Sequence, residues 1–131
     1  MNYENKNFFK DNFYSIKRIE NNDSGFVAHI QLNEKHWIYS SHFPENPITP
    51  GVCLVQIARE LIVINLKQNL NITTVKNIKF LNIIVPGKSD FITFKIAIKK
   101  DEDDAKIKAN IVIEDSKITY TKISMVLDPK L

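Results

Sequence analysis

The sequence predicts an α+β fold, a curved antiparallel sheet of about six strands wrapped around one long central helix. Two observations carry this expectation. Apolar and polar residues alternate in FVAHIQL (26–32) and again in four stretches from residue 75 onward, the two-residue repeat of strands that bury one face. Between the early and late strands lies a single run, VCLVQIARELIVINLK (52–67), that is apolar almost all round and therefore has to be enclosed.

Residues 1–11 are mostly polar and are expected to form a less ordered N-terminal segment of one domain spanning 1–131. FYSIKRIE (13–20) is the expected hairpin partner of 26–32 across Asn21 to Gly25, with Phe26, Ala28, Ile30 and Leu32 inward and Val27, His29 and Gln31 outward. Pro50 before Gly51 suits a helix start, and the following run makes roughly 25 Å of helix at ~1.5 Å per residue. Its polar insertions argue against a membrane span, which needs ~20 uninterrupted apolar residues. After it, VKNIKFLNIIV (75–85), FITFKIAIKK (91–100), AKIKANIVIED (105–115) and KITYTKISMVL (117–127) read as four successive strands of an antiparallel meander. Their turns fall at Pro86-Gly87-Lys88, at the charged stretch 101–104 and at Asp115-Ser116. A sheet of this kind around one buried helix is the hot-dog fold.

Composition narrows the function. With 44% apolar and 25% charged residues in 131 positions, the chain can build its own core without staples. The N-terminus has neither the apolar stretch of a signal peptide nor the acid-poor bias of a transit peptide, so the cytoplasm is expected. A single cysteine, Cys53, closes no internal disulfide, and no His/Cys spacing suits a zinc site, so neither metal nor cofactor is expected. Net charge is +3, but the lysines are scattered and no arginine-rich patch is present, which argues against nucleic acid and, weakly, for an acidic protein partner.

Two groups of residues carry candidate chemistry. On the helix, Gln56, Arg59, Glu60 and Lys67 fall on one stripe, either an exposed polar edge or the place where chemistry occurs. Before it, SHFPENPITPGV (41–52) packs three prolines around His42. Prolines fix φ and push their predecessors toward extended backbone, so the loop from His42 to Pro50 has little freedom and holds the imidazole still. A histidine titrating near ~6.5 is available as a base at neutral pH. The helix N-terminus beside it offers free N–H groups and the positive end of a dipole. His29 and His36 have no such context, and Cys53 is read as core.

His42-Phe43-Pro44-Glu45-Asn46-Pro47-Ile48-Thr49-Pro50-Gly51-Val52 closely resembles the H-F-P-x-x-P-x-x-P-G-V signature of the 3-hydroxyacyl-acyl-carrier-protein dehydratases, which are hot-dog proteins. Asn33-Glu34 and the stretch Lys79-Phe80 through Val85-Pro86-Gly87 resemble further family motifs, and the likeness extends over about residues 13–127. It implies that His42 takes the α-proton of a 3-hydroxyacyl thioester, that the Gly51 amide receives the developing oxyanion, and that Phe43, Pro50 and Val52 line the substrate. It also implies an acyl carrier protein or coenzyme A thioester as substrate. Two protomers would join their sheets edge to edge, as a homodimer or trimer of dimers, or a hetero-oligomer with another hot-dog subunit.

One departure bears on mechanism. Fourteen residues after the histidine the family places a Glu or Asp that protonates the departing hydroxyl, and this chain has Gln56. Glu60 stands one turn on, ~5.4 Å along the axis, where the family has Gln. Ser41 and Glu45 also replace glycines of the pattern. The expectations are therefore a dehydratase in fatty acid or related polyketide-type synthesis, with Gln56 orienting the hydroxyl and Glu60 supplying the proton. The alternatives are a catalytically weak or inactive hot-dog subunit that binds acyl carrier protein or pairs with an active homologue, and an acyl thioesterase.

Overall fold

The computed structural model describes residues 8–41, 44–88, 90–102, 105–116 and 118–129. Its elements are β1 (Tyr14–Asn22), β2 (Gly25–Leu32), α1 (Trp37–Ser41), α2 (Gly51–Leu66), β3 (Leu70–Phe80), β4 (Phe91–Lys100), β5 (Ile107–Glu114) and β6 (Thr119–Pro129). The strands form one antiparallel six-stranded sheet in the order β1-β2-β4-β5-β6-β3.

The alternation read from the sequence sets the inward faces. Phe26, Ala28, Ile30 and Leu32 of β2, Ile92, Phe94 and Ile96 of β4, and Ile107, Ala109, Ile111 and Ile113 of β5 are all at most 3% exposed. They enclose α2, whose Leu54, Ile57, Ala58, Leu61 and Ile62 belong to the same core. Fully burying one such side chain is worth about 1.5–3 kcal/mol, so this wall holds the helix in place. Pro50 (φ −62°, ψ 142°) ends the extended backbone just before α2, and Lys67, in the left-handed region (φ 57°), stops the helix by returning its N–H to the Val63 carbonyl.

The expected four-strand meander is corrected. β4, β5 and β6 do follow one another, but β3 lies beyond β6, with Phe80 opposite Thr121 and Leu70 opposite Pro129. β4 instead pairs with β2, Ile96 opposite Phe26. The reason lies in residues 81–90. β3 ends at Phe80 and not at Val85, and the link to β4 is too long for a tight hairpin, so the chain can pass over the end of α2 to the other side of the sheet. On the way the Leu81 and Asn82 N–H groups both bond to the Tyr120 carbonyl.

Residues 8–11, expected within the less ordered N-terminal segment, are held. Phe8 is buried, and the Phe9 carbonyl accepts the N–H groups of Asn12 and Phe13. The short α1 was also not expected. Its entry is fixed by His36, a buried residue whose Nδ1 accepts the Ile38 N–H and whose pKa burial lowers. Among the described residues no helix is long and apolar enough to cross a membrane.

Candidate active site

The site builds up around the start of α2. Thr49, 6% exposed, is fastened on two sides, its N–H donating to the Ile84 carbonyl at 2.8 Å and its Oγ1 bonded to the Tyr39 hydroxyl at 2.9 Å. Burial pushes the Tyr39 phenol up to about 12, so it stays a neutral partner. Pro50 follows as N-cap and carries no side-chain cap bond, so the amides of Gly51 and Val52 stand at an uncapped helix end. Val52 itself points outward, 76% exposed.

Gly51 leaves room for a neighbouring ring. A Cβ there would sit 2.6 Å from Cε1 and Cζ of the Phe80 ring, so the ring of β3 covers the face of the glycine. Behind this contact is a cavity of about 490 Å³ whose walls include Thr49, Gly51, Leu54, Phe80, Ile84 and Thr121. It is mainly apolar, and Gly51 at the uncapped helix end forms part of its wall. Thr121 is 1% exposed and its Oγ1 has no hydrogen-bond partner.

Gln56 and Glu60 lie elsewhere on α2, and Gln56 is not among the residues lining that cavity. Glu60 is completely buried and accepts four hydrogen bonds. Its Oε1 takes the Lys10 N–H at 3.0 Å and the Tyr14 hydroxyl at 2.9 Å, and its Oε2 takes the Phe9 N–H at 2.7 Å and Gln56 Nε2 at 2.7 Å. Four donors converge on the two oxygens of this one side chain. Through these bonds Glu60 fastens the N-terminal segment to α2. Because Gln56 donates through Nε2, its Oε1 is left as the free end, an acceptor.

The other candidates sort plainly. Arg59 does not pair with Glu60; its Nε donates to the Leu70 carbonyl and its guanidinium lies 5.6 Å from the Phe8 ring centre. Lys67 is the helix stop. Cys53 is buried and its thiol is pushed up to about 11, consistent with a core residue. His29 is tied to Glu20 and Thr93 on the outer sheet face. His42 and Phe43 lie outside the described residues. Among the described residues no group of three His, Cys, Asp or Glu side chains is placed to hold a metal. Thr49 and Phe80 stand within the motifs of the sequence but without a role there, and Thr121 goes unmarked although it breaks the inward apolar row of Ile123, Met125 and Leu127.

A six-stranded sheet closed over one long helix, with a cavity at the helix start, defines a hot-dog protein. Solved structures show the same fold. The dehydratase heterocomplex ApeI:P from Xenorhabdus doucetiae superposes with a TM-score of 0.64 at 17% identity, covering 86% of this chain and 96% of that one. A hypothetical thioesterase protein with coenzyme A from Streptococcus pneumoniae gives 0.61 at 11% identity, covering 94% and 93%. The chain belongs to the ApeI-like family, that of the ApeI dehydratase, which it matches over residues 18–121. It is also 28% identical over 109 residues to the 3-hydroxyacyl-acyl-carrier-protein dehydratase FabZ of Brucella ovis, covering 77% of this chain and 68% of that protein.

Proposed function

We propose that the protein removes water from a 3-hydroxyacyl thioester, carried on acyl carrier protein or coenzyme A, to give the trans-2-enoyl thioester in a fatty acid or polyketide-like pathway of the cytoplasm. The observation that supports this best is the uncapped start of α2 at Gly51, facing an apolar cavity of about 490 Å³. A thioester oxygen set against the Gly51 and Val52 amides gains donors and the positive dipole end as negative charge develops on it. His42, next to Phe43 in the proline-bounded loop, takes the α-proton. The C2–H and C3–O bonds break, C2=C3 forms and water leaves. Since an amide has no proton to give, the proton taken by His42 has to reach the departing oxygen, directly or, in a paired assembly, through a water held at Gln56 Oε1 of the other protomer.

The test is direct. Purified protein is expected to convert 3-hydroxyacyl-carrier-protein substrates into conjugated enoyl products, followed by ultraviolet absorbance; no product at any chain length removes the proposal. Gly51→Ala bears on the oxyanion end. Its Cβ displaces the exposed Phe80 ring and narrows the approach to the amide, so kcat/KM is expected to fall ten- to about a hundredfold, with the melting temperature little changed because alanine favours helix. An unchanged kcat/KM would place the thioester elsewhere.

A second reading has its own support. Gln56 replaces the family acid and its nitrogen is committed to Glu60, which suits a subunit that pairs with an active hot-dog partner and is weak alone. β3 is an edge strand with Val75 and Phe80 exposed, followed by exposed Leu81 and Ile83, and an edge of this kind invites pairing with a second protomer, identical or not. Gln56→Glu separates the readings. A carboxyl there would stand against Glu60 Oε2, two like charges in contact would share a proton, and an acid would persist near neutral pH. For a complete site the variant is expected to raise the rate at least about tenfold, with activity declining as the shared proton is lost at high pH. A chain that stays inactive in both forms, and gains activity only with a second hot-dog subunit, establishes the second reading.

A further inference from the structure

The cavity at the start of α2 holds an unexplained polar group. Its polar side chains are Thr49, Asn82 and Thr121. Thr49 Oγ1 is bonded to Tyr39, and Asn82 Nδ2 donates to the Thr119 carbonyl at 2.9 Å. Thr121 has nothing. It lies on the inward face of β6, in register with buried Ile113 of β5 on one side and with Phe80 on the other, and its Oγ1 is buried without a partner. Valine has nearly the same shape and no hydroxyl. A buried hydroxyl left unpaired costs about 1–3 kcal/mol, so a threonine here is a poor choice for packing alone.

We propose that Thr121 is a specificity-determining residue whose hydroxyl bonds the 3-oxygen of the bound acyl group. The assignment rests on the dehydratase reading and adds a residue to it. Apart from its thioester carbonyl, which the helix-end amides serve, a 3-hydroxyacyl chain brings one oxygen into a mainly apolar space, and Thr121 is the residue on the wall of that space whose buried hydroxyl has no partner. The two hydroxyls are complementary. Thr121 donates to the 3-oxygen, which keeps its own proton to donate onward, and a hydrogen bond to that oxygen supports it as it departs. A saturated acyl chain of the same length leaves the threonine unpaired and binds less well, so the residue sorts ligands by the presence of the oxygen.

Binding, independent of turnover, tests this. The 3-hydroxybutyryl amide of aminopantetheine and its butyryl counterpart, in which NH replaces the thioester sulfur so that the acyl carbonyl is kept but hydrolysis and elimination are suppressed, are titrated calorimetrically into wild type, Thr121→Val and Thr121→Ser. The expected result is that Thr121→Val weakens the 3-hydroxybutyryl ligand about tenfold, leaves the butyryl ligand unchanged or tighter, and melts no lower than wild type, while Thr121→Ser restores the preference. Equal weakening of both ligands by Thr121→Val, or no change in either, overturns the assignment. Because the readout is affinity, a wild type that binds with this preference but forms no enoyl product retains the Thr121 assignment while the catalytic proposal falls.

Discussion

His42→Ala is expected to lower enoyl-thioester formation by about 100- to 10,000-fold, the contribution of a positioned general base. The loss should appear mainly in kcat, since the acyl chain's apolar contacts at Leu54 and Ile84 and the amides of Gly51 and Val52 are untouched. The melting temperature should stay within a few degrees. The expectation follows from the loop's chemistry. Pro44, Pro47 and Pro50 narrow its conformations, and its C-terminal end is fastened through Thr49 to Ile84 and Tyr39. Ultraviolet progress curves with a carrier-protein substrate give the rate, and a variant as fast as wild type would assign proton abstraction to another group.

Glu60→Ala should produce the largest loss of stability. The substitution deprives the amides of Phe9 and Lys10, the Tyr14 hydroxyl and the Gln56 side chain of their shared acceptor, in a place that is completely buried. Each buried donor left without an acceptor costs about 1–3 kcal/mol, and a total of about 3–5 kcal/mol lowers the melting temperature of a domain of this size by roughly 10–20 °C. Glu60→Gln keeps the shape and one accepting oxygen and should lose roughly half as much. Amide exchange at residues 9–14 should quicken in both variants. A Glu60→Ala melt within ~2 °C of wild type would show that the N-terminal segment is held by other means.

Much of this architecture is legible in the sequence because it depends on period. The alternation in FVAHIQL and FITFKIAIKK maps directly onto the inward faces of β2 and β4, and the all-round apolar run at 52–67 onto the enclosed α2. The proline motif leads to the family that residues 18–121 match. What the sequence hides are partners chosen in space. The destination of β3 is undetermined by its own residues, since the same alternation pairs as well with β4 as with β6, and the length of 81–90 decides. The role of Glu60 is hidden for another reason. Three of its four partners are two backbone amides and a distant tyrosine, and a backbone amide has no residue type to read. Gly51 was legible as a glycine but not as the seat of the Phe80 ring, which arrives from a strand begun after the helix ends.

The placement of β3 beside β6 carries a cost in time. Leu70 and Phe80 leave the ribosome well before Pro129 and Thr121, their opposite numbers, have been translated. At about 5–20 residues per second the nascent strand waits for several seconds with an apolar edge uncovered. During vectorial synthesis β3 therefore has no partner strand until β6, the strand that carries Thr121, has emerged.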